Sequence, residues 1–218
     1  MALRAADSRV RGRAAGDRVR GLALYECNTA MASALMRDIG YLEVGLRNAY
    51  DRCLRAEGGP DWAADPSFTL FRSASAPDRS ANLQKMDAEE ADLRALLQSA
   101  RDHVREAGRG KIVAELMFGF WCRLTSKRLT ASLWTPYLHR AFPSGTNRSA
   151  IHGSVINLNN LRNRVAHHEP LFTPNVHLSS RMDEIEYLLV ALNPTMGAWV
   201  IATSDCRTQI ELAPIPVG

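Results

Sequence analysis

Apolar residues recur at intervals of three and four along most of the chain, which is the spacing that places them on one face of an α-helix. The first stripe begins after about residue 21 and includes Leu35, Ile39, Leu42, Leu46, Ala49 and Cys53. A second stripe runs from Leu83 to Val104 on a polar background. The pattern predicts two long amphipathic helices, joined by a proline-containing connection over residues 57–80 with a short helical turn near Phe68–Phe71.

The most apolar and aromatic stretch, KIVAELMFGFWCRLTSKRL, lies in the middle of the chain, and its spacing predicts a single central helix. Thr146 and Asn147 are suitable caps for a later helix that runs through His168. Two more helices follow in the prediction, the last of them short and opened by Pro194, because proline fits the first position of a helix.

No segment alternates apolar and polar residues with the period of two that a half-buried strand requires, and no fixed-period repeat is present. We therefore expect an all-α helical bundle without a sheet. The predicted organisation is a basic flexible leader over residues 1–20, one helical domain over residues 21–204 and a C-terminal tail over residues 205–218.

The net charge of +4 suggests a nucleic-acid partner until its distribution is examined. Residues 1–20 contain six arginines and two aspartates, whereas the rest of the chain has 21 basic and 21 acidic side chains. The body is therefore neutral, which excludes a protein that coats nucleic acid with a broadly positive surface. The basic leader could also belong to a DNA-associated regulator, but no recognition-helix pattern in the sequence supports that interpretation.

The four cysteines are far apart and form no C-x-x-C pair, so neither a zinc site nor a disulfide framework is indicated. No apolar run approaches the roughly 20 residues of a membrane-spanning helix, and the first residues lack the apolar segment of a secretory signal. We expect a cytoplasmic protein that uses no cofactor and no metal.

The residues best suited to binding or catalysis are concentrated in one segment, SAIHGSVINLNNLRNRVAHHEP, from Ser149 to Pro170. On a helical wheel, Arg162 falls about 20° from the centre of the apolar stripe. A guanidinium there needs a carboxylate, a phosphate or a polar pocket. Glu43 borders the apolar stripe of the first helix and is a candidate partner.

A row of neutral polar residues occupies the neighbouring face, and its members are His152, Asn159, Asn163 and His167. Asn163 and His167 are four residues apart, so the amide can orient the imidazole or share a ligand with it. The wheel separates Arg162 from His167 by about 140°, so one straight helix does not aim both at one small group. Either distortion near the helix end or a second copy of the helix in a dimer would bring them together.

An arginine, an amide and a histidine suit the cleavage of an RNA phosphodiester without a metal. Histidine can transfer a proton near neutral pH, and arginine stabilises the charge that develops on the phosphoryl oxygens. The alternative is structural: Arg162 and Asn163 brace a helix crossing, and the histidines are satisfied structural residues.

Three segments resemble the Abi-like (abortive infection) proteins, a branch of the HEPN superfamily of helical ribonucleases. YLEVGLRNAYDRCL is similar to the family's E-x-x-L-R-N signature, GKIVAELMFGFWCRL to its central G-F-W segment, and LRNRVAHHEPLF to its R-N-x-x-x-H block. Their order and spacing also agree, over roughly residues 21–200. The basic leader and the residues after about 201 lie outside the resemblance.

The resemblance implies a HEPN-like bundle and a metal-independent endoribonuclease whose composite site forms across a homodimer. Arg162 would contact the scissile phosphate, Asn163 would be the polar residue after the motif arginine, and His167 would be the acid or base. It further implies a role in abortive infection or toxin-like phage defence, with RNA as substrate and an antitoxin, protein or RNA, among the partners.

The resemblance also places supporting residues near the site. Glu43, Arg47 and Asn48 belong to the N-terminal signature, although Glu43 and Arg47 can equally form a helix salt bridge. Arg164 is expected to contact RNA, and His168 either supports the site or serves the helix C-terminus.

Two interpretations stay open on the sequence. A catalytically silent module that holds RNA or a partner protein in the same polar groove is the alternative to the enzyme. The aromatic residues Phe118, Phe120, Trp121 and Trp134 either stack on bases or, as we expect, belong to the core.

Overall fold

A computed structural model describes the backbone of residues 2–65, 81–104 and 109–213, and the side chains of residues 18–65, 90–104 and 110–213. The described chain contains helices and turns but no strand, which confirms the predicted all-α class. The α-helices are α1 (Ala2–Gly58), α2 (Ala81–Val104), α3 (Arg109–Glu115), α4 (Phe118–Arg123), α5 (Arg148–Ala166), α6 (Leu178–Leu192), α7 (Pro194–Thr203) and α8 (Cys206–Glu211). None of them, within these ranges, has both the length and the apolar character needed to cross a bilayer.

Helix α1 is the scaffold on which the other elements pack. Its predicted apolar stripe is buried, and the helix contacts α4, α5, α6 and α8. It begins at Ala2, so it continues through the residues that we expected to form a flexible leader. The physical reason is composition, because alanine and arginine favour helix and no proline interrupts them. No described side chain before Met31 is buried, so residues 18–30 of α1 lie outside the core.

The connection after α1 is partly built into the core. Gly59 ends the helix with a positive φ of 79°, and the turn that follows buries Trp62 completely. The Trp62 indole donates a hydrogen bond to the Asp51 carboxylate at 2.8 Å, and Arg101 of α2 donates to the carbonyl of Ala63 at 2.6 Å. The helical turn predicted near Phe68–Phe71 lies outside the described residues.

The predicted central helix is divided into two short helices, α3 and α4. The chain becomes extended at Met117, with φ −70° and ψ 161°. The buried Trp121 indole donates to the Leu116 carbonyl at 3.0 Å, so a side chain satisfies a group that a continuous helix would pair with backbone. Short 3-10 and π-helical turns then lead from Lys127 to Ala141.

The C-terminal residues also differ from the expectation, because the chain beyond residue 204 forms α8 and packs on α1. Asp38 of α1 is buried at 4% exposure and accepts hydrogen bonds from the Ser204 hydroxyl and, at 3.3 Å, from the Cys206 thiol. Arg37 pairs with the same carboxylate at 2.8 Å. This buried polar cluster holds α8 against α1, so residues 205–211 belong to the bundle rather than to a tail.

Candidate functional site

Helix α5 carries Arg162 and Asn163 of the predicted catalytic motif, and His167 follows its last residue. The apolar side of α5 is fixed in the core. The predicted cap is confirmed at Asn147, whose Oδ1 accepts hydrogen bonds from the backbone N–H groups of Ser149 and Ala150 at 2.8 and 3.2 Å. The buried stripe consists of Ile151, Val155, Leu158, Leu161 and Val165. Because this stripe sets the rotation of α5, the opposite surface presents a defined set of side chains.

The motif residues lie where the core does not cover α5. Arg162 is half-buried, although the wheel placed it within the apolar stripe, and Asn163 and His167 are exposed. In the part of the chain with described side chains, none of these three side chains hydrogen-bonds or pairs with another protein group. They are therefore available to a ligand or to a second chain.

Helix α5 ends in a turn that begins at the motif histidine. His167 follows the last helical residue with φ −95° and ψ 10°, and His168 has a positive φ of 55°. The N–H groups of His168 and Glu169 donate to the carbonyls of Val165 and Arg164 at 3.1 and 3.0 Å, which is the Schellman pattern. The Cα of His167 still lies on the helix and the chain leaves it only at His168, so the angle of about 140° between Arg162 and His167 read from the wheel holds approximately.

The turn has an unusual composition. Glycine normally occupies the left-handed position, but here the exposed His168 does. A Schellman turn usually brings together two apolar side chains, whereas here Arg164 Nε lies 3.1 Å from Glu169 Oε2 as an ion pair. Arg164, which we expected to contact RNA, thus also braces the turn that carries the histidines.

Asn28 of α1 is a positioning residue that the sequence did not reveal. Its side-chain oxygen accepts from the backbone N–H of Leu171 at 2.8 Å, and its amide donates to the carbonyl of Glu169 at 3.4 Å. Leu171 is fully buried at the point where the loop enters the core. One amide therefore clamps the loop just after the histidines, across 141 residues of sequence. No periodicity or motif marks it.

The supporting residues predicted on α1 are not linked to the motif by polar contacts. Glu43 is half-buried and faces α4. The pKa of the Cys122 thiol is raised well above its usual value, mainly because the thiol is buried and secondly because the negative charge of Glu43 is near. The proposed Glu43–Arg162 ion pair is absent from the described side chains, and so is the alternative pair between Glu43 and Arg47. The i,i+4 spacing allowed that pair without requiring it. Asn48 is exposed.

The polar row predicted along α5 is divided between packing and solvent. His152 Nδ1 lies 2.9 Å from the hydroxyl of buried Thr125, which already donates its proton to the Cys122 carbonyl at 2.7 Å. The hydroxyl must then accept from His152, so Nδ1 carries the imidazole proton. Asn159 packs beside Gly119, because a Cβ added to Gly119 would lie 3.5 Å from the Oδ1 of Asn159. Only Asn163 and His167 of the row are exposed.

The aromatic residues belong to the core, as expected. Phe118, Phe120 and Trp121 are at most 2% exposed and Trp134 is 7% exposed. Phe120 and Trp121 meet edge to face with ring centroids 5.1 Å apart. Base stacking on these rings is therefore excluded in this conformation.

Comparisons with known proteins do not add a relative. No family model, curated protein or solved structure matches the chain. Among the described residues, no group of three or more His, Cys, Asp or Glu side chains is placed to hold a metal ion. The site is therefore interpreted from its own residues.

Proposed function

We propose that this chain is a metal-independent endoribonuclease of the HEPN type, with Arg162, Asn163 and His167 as its catalytic residues. The observation that carries the proposal is the presentation of the motif. An arginine, an amide and an imidazole lie at the end of a helix fixed by its buried stripe, and none is engaged by the described protein groups. A role in bracing a helix crossing would instead give Arg162 an acceptor within the protein, and it has none among the described groups.

The chemistry needs proton transfer and charge stabilisation. His167 would remove the proton of an RNA 2′-hydroxyl as its oxygen attacks the adjacent phosphorus, or protonate the leaving 5′-oxygen. The products are a 2′,3′-cyclic phosphate and a free 5′-hydroxyl, so atoms balance without another reactant. Arg162 would stabilise the extra negative charge on the phosphoryl oxygens, and Asn163 would orient the phosphate or the imidazole.

A second copy of the chain completes the proposed site. Arg162 projects from the side of α5 near the core, whereas His167 sits on the exposed turn at its end. Two α5 helices facing each other across a two-fold axis would place Arg162 of one subunit beside His167 of the other. This explains why one chain leaves both residues without partners.

The cellular role that we propose follows the Abi-like resemblance. Cleavage of a host or viral RNA in the cytoplasm would stop growth during phage infection, and an antitoxin of protein or RNA would restrain the enzyme. Residues 167–170, at the end of α5, are all exposed, so a restraining partner could cover them.

One observation favours a second candidate, the silent module that binds RNA or protein. A catalytic histidine is usually oriented by an acceptor on its other ring nitrogen, and His167 has none among the described groups. The same exposed groups would then serve binding alone.

A cleavage assay in chelator separates the two candidates. The purified protein, Arg162→Ala and His167→Ala are incubated with mixed RNA, and Arg55→Ala and His103→Ala serve as matched controls because both are exposed and far along the chain from the motif. We expect cleavage by the parent and by both controls, with loss of at least about 100-fold in the motif variants. RNA binding without cleavage by the parent would support the silent module instead.

Mixed dimers test the composite site. Co-expressed Arg162→Ala and His167→Ala chains form heterodimers that retain one intact Arg162–His167 pair if the residues come from different subunits. Random pairing then restores about one quarter of the parental activity. No restoration, or a parent that is monomeric by light scattering while it cleaves RNA, would contradict the composite site.

A further inference from the structure

A polar cavity of about 220 Å³ lies beside the motif, between α5, the 3-10 turn Pro174–Val176 and the start of α6. Six polar side chains line it, namely Asn157, Asn160, Arg164, Asn175, His177 and Arg181. Water in the liquid occupies about 30 Å³ per molecule, so the cavity has room for a group several times larger.

Both arginines of the cavity are held in place by a carboxylate on one side. Arg164 pairs with Glu169 at 3.1 Å, and Arg181 pairs with Glu184 at 3.1 Å. Each Nε is buried and makes no hydrogen bond, since the Arg164 N–H is not aligned with the carboxylate beside it. These Nε atoms are closed to a ligand in the cavity, so only the outer N–H groups of the two guanidinium groups can bind one.

The side chains around the cavity keep several unused donors, and one nearby acceptor, the buried Oε2 of Glu184, also makes no hydrogen bond. Asn175 Oδ1 accepts from the Thr173 hydroxyl at 2.7 Å, which leaves its amide N–H groups unused. Glu184 accepts from the Asn157 amide at 3.0 Å in addition to its pairing with Arg181. The Asn160 and His177 side chains make no hydrogen bond in the described part of the chain.

The two guanidinium groups and the unused Asn175 amide favour an oxyanion, and a phosphoryl group fits a cavity of this size. The start of α6 adds partial positive charge, because no side chain caps that helix.

The cavity lies on the same face of α5 as the motif histidine. Asn160, Arg164 and His167 are spaced i, i+4 and i+7, and the axial rise from Arg164 to His167 is about 4.5 Å. A phosphate in the cavity would therefore be a near neighbour of one bound at His167.

We propose that this cavity is a subsite for a phosphate of the RNA chain adjacent to the scissile one, with Arg181, Arg164 and Asn175 as its ligands. This inference rests on the proposed function for the identity of its substrate. The subsite sets how RNA is positioned and takes no part in the bond-breaking step.

The test measures binding of a short single-stranded RNA by fluorescence anisotropy across salt concentrations, in the His167→Ala background so that no cleavage occurs. Arg181→Gln should weaken binding between about tenfold and a hundredfold and reduce the salt slope by about 0.7, the value of one single-strand phosphate contact. Arg55→Gln, an exposed change of the same charge, should alter neither value by as much.

Asn175→Asp keeps the test valid if Arg181→Gln fails to fold. The aspartate retains the oxygen that Thr173 donates to and replaces an amide donor with a negative charge, so stability is kept and RNA affinity falls. Unchanged affinity and slope in both variants would overturn the proposal.

Free ligands and cleavage separate the remaining outcomes. If inorganic phosphate or a nucleoside monophosphate binds in an Arg181-dependent way while RNA binding ignores Arg181, the cavity serves a free phosphoryl ligand and the RNA subsite is wrong. If the parent binds RNA in an Arg181-dependent way but does not cleave it, the subsite is supported and only the proposed catalysis is wrong. If Arg181→Gln cleaves RNA with the parental KM, the subsite proposal is wrong and the proposed enzyme is unaffected.

Discussion

Asn28 and Tyr50 illustrate opposite uses of a polar side chain. Asn28 satisfies two backbone groups of the loop after His167 and so determines where the histidines lie relative to α1. Tyr50 is fully buried, and its hydroxyl has no hydrogen-bond partner among the described groups. The first polar group positions the candidate site, whereas the second contributes only its ring to the core.

Replacing Asn28 with alanine should destabilise the loop. It leaves the buried N–H of Leu171 without an acceptor, which costs about 1–3 kcal/mol. We expect faster hydrogen exchange at Leu171 and a lower denaturation midpoint. Asn28→Asp keeps the accepting oxygen and should lose less. Equal exchange in the parent and the alanine variant would refute the clamp.

Tyr50→Phe should leave stability unchanged or raise it slightly, because the hydroxyl that it removes is unsatisfied. Thr125→Val is the matched comparison, since it removes a buried hydroxyl that makes two hydrogen bonds and should cost about 1–3 kcal/mol. Urea unfolding followed by tryptophan fluorescence measures both. A large loss in Tyr50→Phe would reveal a partner for its hydroxyl.

The cysteines should differ in reactivity. Burial raises the pKa of all four thiols, to about 12 for Cys206 and well above the usual value for Cys122, while Cys27 is only half-buried. A raised pKa means less thiolate, the reactive form, at pH 8. Alkylation of the native protein should modify Cys27 first, with the other three reacting only in denaturant, as mass spectrometry can determine. Early modification of Cys206 would contradict its burial.

Among the elements, close helix crossings depend on where small residues lie. Helices α6 and α7 pack together at Gly197, where a Cβ would come within 2.7 Å of the Val190 backbone nitrogen. Backbone cannot move aside as a side chain can, so this crossing requires glycine. Helix α5 carries Gly153 on its exposed side, where a Cβ would meet nothing within 4 Å.

The two glycines therefore predict opposite effects of one substitution. Gly197→Ala should destabilise the protein by about 1–3 kcal/mol through overpacking. Gly153→Ala should stabilise it by about 0.5–1 kcal/mol, because alanine favours helix and meets no obstacle. Thermal unfolding of both variants gives the comparison, and similar shifts in the two would disprove the close approach of α6 and α7.

Over the whole molecule, the net positive charge lies at the start of the chain, whereas the helical bundle is neutral. The excess of +4 lies in residues 1–20, at the start of a helix whose first buried side chain, among those that the structure describes, is Met31. The neutral bundle holds the motif, so any RNA contact there depends on the local placement of Arg162, Arg164 and Arg181 rather than on a general field.

Deleting residues 1–20 should leave the fold intact and lower the salt dependence of RNA binding. The deletion removes no buried side chain among those described, so the melting temperature should change little. Each RNA phosphate that the leader no longer neutralises should reduce the slope by about 0.7. An unchanged slope would show that the leader does not contact RNA, and unfolding of the truncated chain would show that it supports the bundle.

Much of the bundle is predictable because helix faces are encoded locally. The buried stripes of α1 and α5, the cap at Asn147 and the proline that opens α7 all follow from spacing and residue type. The break between α3 and α4 does not, since a continuous helical pattern spans it. It depends on Trp121 reaching back to the Leu116 carbonyl, which only packing decides.

The sequence alone determined the all-α class, the neutral body with a basic start, and the Arg-Asn-x-x-x-His segment near the end of one helix. Those properties depend on residue type and on intervals of three or four positions, which are local. Tertiary structure decided that Glu43 faces Cys122 instead of Arg162, that Asn28 clamps the loop, and that Arg164 and Arg181 line one cavity. Each of these joins residues far apart in the chain, and which distant surfaces meet depends on how the whole core packs.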